Sequence, residues 1–171
     1  MNKEISRNII RTIFILLIQV VLLKRNLTLG EFNYVHLTVY ALIIAMFPYN
    51  WNRTLIIFLG FCIGLFVDMF YDSPGVHAGA TTFIAYVRYY ILNWMAPTEG
   101  YKNNSLTPHQ LGVPWFFTYM SIMVFLHLIV LYSLDAFSYV YLKEIIFRTV
   151  FSFIASVFLV MFGSLIFNPK Y

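Results

Sequence analysis

Between residues 60 and 85 the chain gathers the residue types that could do chemistry. Gly60, Gly64, Asp68 and Asp72 recur every four residues. Four residues turn a helix by about 400°, so this stripe drifts only slowly around one face. Two glycines four apart let another helix come close. The face then ends in two carboxylates. A charged side chain at mid-membrane costs at least ~2.5–3.5 kcal/mol, so Asp68 is expected to face protein or a water-filled cavity. Asp72 reads either as part of an outer corner or as a solvated end residue. Ser73-Pro74-Gly75 marks a turn. After His77 come Ala78, Gly79, Ala80, Thr81, Thr82 and Ala85, small residues that predict a tight hairpin with the preceding helix. Asp68, Asp72 and His77 could be drawn as ligands of a divalent ion. A turn separates them, however, with no second His-rich cluster and no soft ligand near, so a hydrogen-bonded corner is the stronger reading. As a catalytic pair, Asp68 with His77 is the best available and a weak one.

Other polar residues interrupt apolar runs. Arg88 shares a face with Thr81 and Ala85. It either reaches Asp68, about 9 Å away in depth, or snorkels to the headgroups. His127 and Arg148 pose the same question. Gln19 is expected to hydrogen-bond another helix. The chain has no Gly-rich phosphate loop, no His-Glu-x-x-His and no Gly-x-Ser-x-Gly elbow. No catalytic, cofactor or metal residue is therefore assigned. Asn-x-Ser/Thr tripeptides at Asn26, Asn52 and Asn103 are read as chance.

The elements that would position these residues follow from composition. Of 171 residues, 61% are hydrophobic, 20% aromatic and only 11% charged. A soluble domain is about a quarter charged, so a soluble globular fold is a poor fit. Disorder would require low hydrophobicity. Cys62 is the only cysteine, which excludes an internal disulfide. Eleven scattered Lys and Arg with a formal charge of +4 do not make a nucleic-acid stripe. Continuous apolar runs favour helices over a β-barrel. Six spans are predicted, at about 8–23, 32–47, 54–70, 78–95, 115–134 and 142–167. The second is short and stops at Pro48, the fourth stops before Pro97, and Pro114 sits in the first turn of the fifth. The N-terminal run lacks a small-residue cleavage site and reads as an uncleaved span.

With both termini inside, the inner flanks hold Lys3, Arg7, Arg11, Arg53, Lys102 and Lys170, against Lys24, Arg25 and Lys143 outside. Trp51, Trp94 and Trp115 also fall on the inner side. Residues 96–114 form the one sizeable polar loop, on the cytoplasmic side.

The run Gly60-Phe-Cys-Ile-Gly-Leu-Phe-Val-Asp68-Met-Phe-Tyr-Asp72-Ser-Pro-Gly75-Val-His77-Ala78 resembles the most recognisable segment of MreD, the rod shape-determining membrane protein of bacteria. Pro97-Thr-Glu-Gly-Tyr101 and Asp135-Ala-Phe-Ser138 also look like family positions. The resemblance covers the whole chain in layout and is specific over residues 60–85. It implies an all-α polytopic membrane protein of six helices, similar in fold to the substrate-binding component of energy-coupling-factor transporters. It implies a non-enzymatic scaffold in the bacterial inner membrane that works with the single-span protein MreC. Through MreC it would meet the MreB cytoskeleton, a RodA-type glycosyltransferase and a class B penicillin-binding protein, in lateral peptidoglycan synthesis. No cofactor is implied. Gly60, Gly64 and Asp68 are then expected to pack the third helix, with Asp72, Gly75 and His77 at the outer corner.

The fold likeness raises a second possibility, a binder of a vitamin-type molecule. Such components need a ligand pocket near the outer face and tend to dock their partner through Ala-x-x-x-Ala on the first helix. Residues 9–23 contain neither Ala nor Gly.

Overall fold

The computed structural model describes residues 10, 12–23, 37–101, 106–137 and 139–166. Asn26, Asn103 and all the flanking charges counted for orientation, except Arg53 and Lys143, lie outside them. The described regular elements are all helical. Helix α1 covers Thr12–Val21, and Ile18–Leu23 at its end is wound as a π-helix. Then follow α2 (Ala41–Ala45), α3 (Arg53–Tyr71), α4 (Val76–Trp94), α5 (Pro108–Leu111), α6 (Val113–Ala136) and α7 (Leu142–Ile166). A 3₁₀ turn, Tyr139–Tyr141, leads into α7.

Helices α3 and α6 are long and apolar enough to cross a membrane, with mean hydropathies of 2.1 and 1.9. Helices α4 and α7 have comparable length, 19 and 25 residues. Only 33% of the most apolar window of α3 is buried within the protein. Its outward face carries Phe58, Phe61, Leu65, Phe66 and Met69, the last 79% exposed. A contiguous apolar face of this size is a contact surface for lipid or another protein.

The helix expected over 32–47 is corrected by the structure. Residues 37–39 are not helical, and α2 spans only five residues. Residues 38–47 are all buried, so this segment runs through the centre of the bundle, against α4 and α6. A stretch that is apolar on every side is buried on every side, and its periodicity then says little about where a helix starts.

The break survives because other helices satisfy its backbone. Gln19 on α1 accepts from Val39 N at 2.8 Å through Oε1 and donates to Leu37 O at 3.0 Å through Nε2. Ser156 Oγ on α7 accepts from Thr38 N at 3.1 Å. Unwound backbone away from water is tolerated only with partners of this kind.

At the other end of α2, Tyr119 on α6 donates to Ala45 O at 3.0 Å. Arg88 on α4 donates from Nη2 to Phe47 O. A cation and a phenol thus occupy the open carbonyl end of the short helix, where positive charge is favoured.

Gln19→Leu is expected to strand Val39 N–H and Leu37 C=O. At about 1–3 kcal/mol for each of the two groups left unpaired, the bundle should lose about 2–6 kcal/mol. Thermal unfolding of the purified variant in detergent checks this, and an unchanged midpoint would remove Gln19 from the support of the break.

Candidate functional site

The site is the α3–α4 hairpin and the polar groups beneath it. Helix α3 starts at Asn52, whose side chain accepts from Thr54 N at 2.9 Å. This N-cap role explains Asn52, which the sequence reading had set aside as a chance glycosylation tripeptide. Of the four-residue stripe, Gly60, Gly64 and Asp68 are buried. Asp72 is not on the stripe. It is the exposed C-cap of α3 in the left-handed region at φ 53°, a conformation Asp tolerates better than most residues.

The glycines differ in what they permit. A Cβ on Gly60 would lie 3.0 Å from Ala85 Cβ and 3.2 Å from Thr81 O. A Cβ on Gly64 would lie 2.2 Å from Thr81 Oγ1, 2.4 Å from Ala78 Cα and 2.7 Å from Ala78 N. At Gly64 the obstacle includes backbone, which cannot swing aside. The first turn of α4 therefore rests directly on the α3 backbone at Gly64.

That contact places the open end of α4 within reach of Asp68. Gly75 is the N-cap, at φ 85°, and supplies no side chain. The carboxylate of Asp68 replaces it. Oδ2 accepts from Gly75 N at 3.1 Å and Ala78 N at 3.0 Å. Oδ1 accepts from His77 N at 2.9 Å and Ser73 Oγ at 3.0 Å. Four donors surround one carboxylate at the positive end of a helix, which is how a buried Asp is stabilised. The corner is thus hydrogen-bonded through Asp68, Ser73 and the backbone of residues 75–78, without the exposed Asp72; among the described residues no group of three or more His, Cys, Asp or Glu could hold a metal ion.

His77 links this corner to the core. Its Nδ1 lies 2.6 Å from Tyr40 Oη, and His127 Nε2 lies 2.7 Å from the same oxygen. Tyr40 and His127 are fully buried. The hydroxyl has one proton, so it donates to one imidazole and accepts an N–H from the other. Beside His77, the Tyr71 ring lies 5.0 Å from the imidazole, and Gln19 Nε2 donates to Tyr71 Oη at 2.9 Å. Tyr40 escaped the sequence reading. The available signal was a phenol, two residues after Thr38, in an otherwise apolar run, a group that demands a partner once buried.

Arg88 neither pairs with Asp68 nor snorkels. It is buried and caps α2, about three turns further along α4 than His77, on the order of 16 Å. Arg148 pairs with Glu144 at 2.6 Å and Asp135 at 3.5 Å.

At the far end of α4, Tyr101 donates to Leu92 O at 2.6 Å and Trp115 Nε1 to Met95 O at 2.8 Å. Burial pushes the Tyr101 phenol up to about 12, so it keeps its proton at neutral pH. Trp115 is thus partly buried as a cap, whereas Trp94 is 78% exposed.

A cavity of about 140 Å³ opens beside the corner, lined by Gln19, Tyr71, Ser73, His77, Tyr132 and Asp135 among others. Comparison with protein-family models, curated proteins and solved structures finds no match to this chain in any of the three.

Gly64→Ala is expected to force α3 and α4 apart and cost about 1–3 kcal/mol, as overpacking does. Gly60→Ala should cost less than Gly64→Ala, because Ala85 Cβ and Thr81 O need give only a few tenths of an ångström and the ~0.5–1 kcal/mol gained in helix propensity offsets part of that strain. Unfolding midpoints of the two variants, measured side by side, would contradict this reading if their order were reversed.

Proposed function

We propose that this chain is an MreD-like scaffold of the bacterial inner membrane. In this reading it crosses the membrane six times, the second crossing being the interrupted segment around α2, with both termini cytoplasmic. It binds an MreC-like single-span protein and through it helps organise lateral peptidoglycan synthesis with RodA-type, penicillin-binding and MreB components. One observation carries the proposal. The segment that holds the resemblance, residues 60–85, is also where the packing is least tolerant, with Gly64 against Ala78 and Asp68 on the end of α4. The motif residues shape a helix hairpin, which suits a protein that works by presenting lateral surfaces. The Asp68 carboxylate is engaged with backbone N–H groups and the Ser73 hydroxyl, and His77 Nδ1 and His127 Nε2 with Tyr40, which favours a structural task, although His127 Nδ1 and Arg88 Nε are buried without a hydrogen-bond partner among the described residues. The apolar outer faces of α3 and α6 support a membrane location.

The small-molecule alternative has two features to consider, the polar cavity near His77 and a cavity of about 620 Å³ between α6 and α7, whose lining, from Phe125 and Ile129 to Ile146 and Val150, is almost wholly apolar and lacks the convergent polar groups a vitamin site needs. Drug-sized or vitamin-sized ligands occupy about 300–1,000 Å³. The polar cavity bounded by the described residues, at about 140 Å³, is less than half of that lower limit. Its size fits ordered water better than a vitamin.

The deciding experiment is gentle affinity purification of the full chain from native membranes, with mass spectrometry of proteins and small molecules. An MreC-like single-span protein in the eluate is the expected result. A tightly held vitamin-like molecule with ATPase partners, and no single-span protein, would replace the scaffold with the transporter reading. Within the scaffold reading, Asp68→Leu should still insert into membranes but lower the yield of the complex or abolish shape rescue, because the hairpin loses the cap on α4. Normal rescue by this variant, scored as cell morphology in a depleted strain, would remove Asp68 from the argument.

A further inference from the structure

Arg53 opens α3, and its guanidinium carbon lies 4.5, 5.1 and 4.8 Å from the ring centroids of Tyr86, Tyr89 and Tyr90 on α4. Three rings together fix the plane of a guanidinium, and the Tyr86 and Tyr90 hydroxyls engage part of its five-N–H fork. The described ion pairs both belong to Arg148, so no described carboxylate neutralises Arg53. The hydroxyls of Tyr86 and Tyr90 lie 3.3 Å apart, and all three rings are about half exposed. One of these hydroxyls donates to the other, so a fixed cation and one remaining phenol donor share one open surface. Toward the middle of α3, Ile57 and Phe61 follow Arg53 at four-residue spacing, and Phe83 precedes Tyr86 on α4. Phe61 and Phe83 are both exposed. At 1.5 Å per residue, Phe61 lies about 12 Å deeper than Arg53.

We infer that Arg53, Tyr86 and Tyr90 form a binding site for the phosphate of an anionic phospholipid, with an acyl chain lying against Phe61 and Phe83. This rests on the membrane reading above, in which Arg53 sits at the cytoplasmic leaflet. The charge and the shape agree on this occupant. A phosphate accepts from the guanidinium fork and from the phenol whose proton is free. Because the rings hold the guanidinium in place before binding, little side-chain entropy remains to be lost. The apolar slope below the cation suits a chain attached to that phosphate, and an acidic peptide would leave it uncovered. A zwitterionic lipid brings its own ammonium toward Arg53 and should bind more weakly.

The test is native mass spectrometry of the full chain in detergent, titrated with phosphatidylglycerol or phosphatidylcholine. The wild-type chain should retain phosphatidylglycerol preferentially. Arg53→Gln should weaken the first phosphatidylglycerol adduct about tenfold, as expected for a lost charged hydrogen bond, and leave phosphatidylcholine adducts unchanged. Arg53→Lys keeps the charge and loses the stacked fork, so an intermediate loss is expected even if Arg53→Gln folds poorly. Lys143→Gln, on an exposed residue elsewhere, should change nothing. Equal retention of both lipids by the wild-type chain, or equal phosphatidylglycerol retention by all variants, would overturn the site. So would an Arg53-dependent crosslink to an acidic protein segment with no lipid selectivity. Failure of the underlying membrane reading is seen separately, as release of the wild-type chain from membranes by alkaline carbonate.

Discussion

In a chain this apolar, a helix end that points into the fold has little water to satisfy it, and the first-turn N–H groups of α4 must be met from elsewhere. Asp68 meets them. Its two oxygens take three backbone donors and the Ser73 hydroxyl. Hydrogen bonds to a charged acceptor are worth about 1.5–3 kcal/mol each, while a buried charge without them would be destabilising by several kcal/mol. The carboxylate and the helix end are therefore each tolerable only in the presence of the other. Their meeting fixes the turn, the angle at which α4 leaves it, and the position of His77.

The Asp68 cap and the glycine contact are one device. For the carboxylate to reach Ala78 N, α3 must come within van der Waals distance of the α4 backbone, and the point of approach is Gly64. A larger residue there would move the donors away from Asp68. The same logic recurs around α2, with different groups. Gln19 and Ser156 hold the unwound entry to the central segment, and Arg88 and Tyr119 hold its exit. Polar side chains from α1, α4, α6 and α7 thus converge on one short element. Each of these four helices is tied to the centre by a hydrogen bond.

How much of this was legible depends on whether the signal was local. The helix at 54–70 was readable from its apolar run, and the structure gives Arg53–Tyr71. The helix at 115–134 was readable with its early Pro114, and the structure gives Val113–Ala136. The close approach at Gly64 and the inward carboxylate at Asp68 were legible because both lie on one helical stripe. Asp72 was misplaced on that stripe because the sequence does not say where a helix stops within one turn. The break before α2 was illegible. Its cause lies in Gln19 and Ser156, which are distant in sequence, and Thr38 and Tyr40 do not by themselves announce a break in an otherwise apolar run. Arg88 was recognised as costly, but its partner is a backbone carbonyl, and a carbonyl leaves no trace in residue type.

The hydroxyl of Tyr40 shows why so constrained a centre suits a scaffold. One proton serves two imidazole nitrogens, so the rings of His77 and His127 must adopt complementary roles, one donating and one accepting. The tautomer of a histidine on α4 is thereby set by that of one on α6, through a residue at the entry to α2. Rotating any of these three elements would leave a buried polar group without a partner, at a cost of about 1–3 kcal/mol. Such a network specifies one arrangement and resists others. The outer faces carry no comparable constraint, since Phe58 and Met69 on α3 and Phe158 on α7 meet nothing inside the protein. A core that resists rearrangement thus lies beneath apolar faces that carry no such constraint. The core fixes where the lateral surfaces stand, and the surfaces can be matched to a partner without disturbing the hydrogen bonds beneath them.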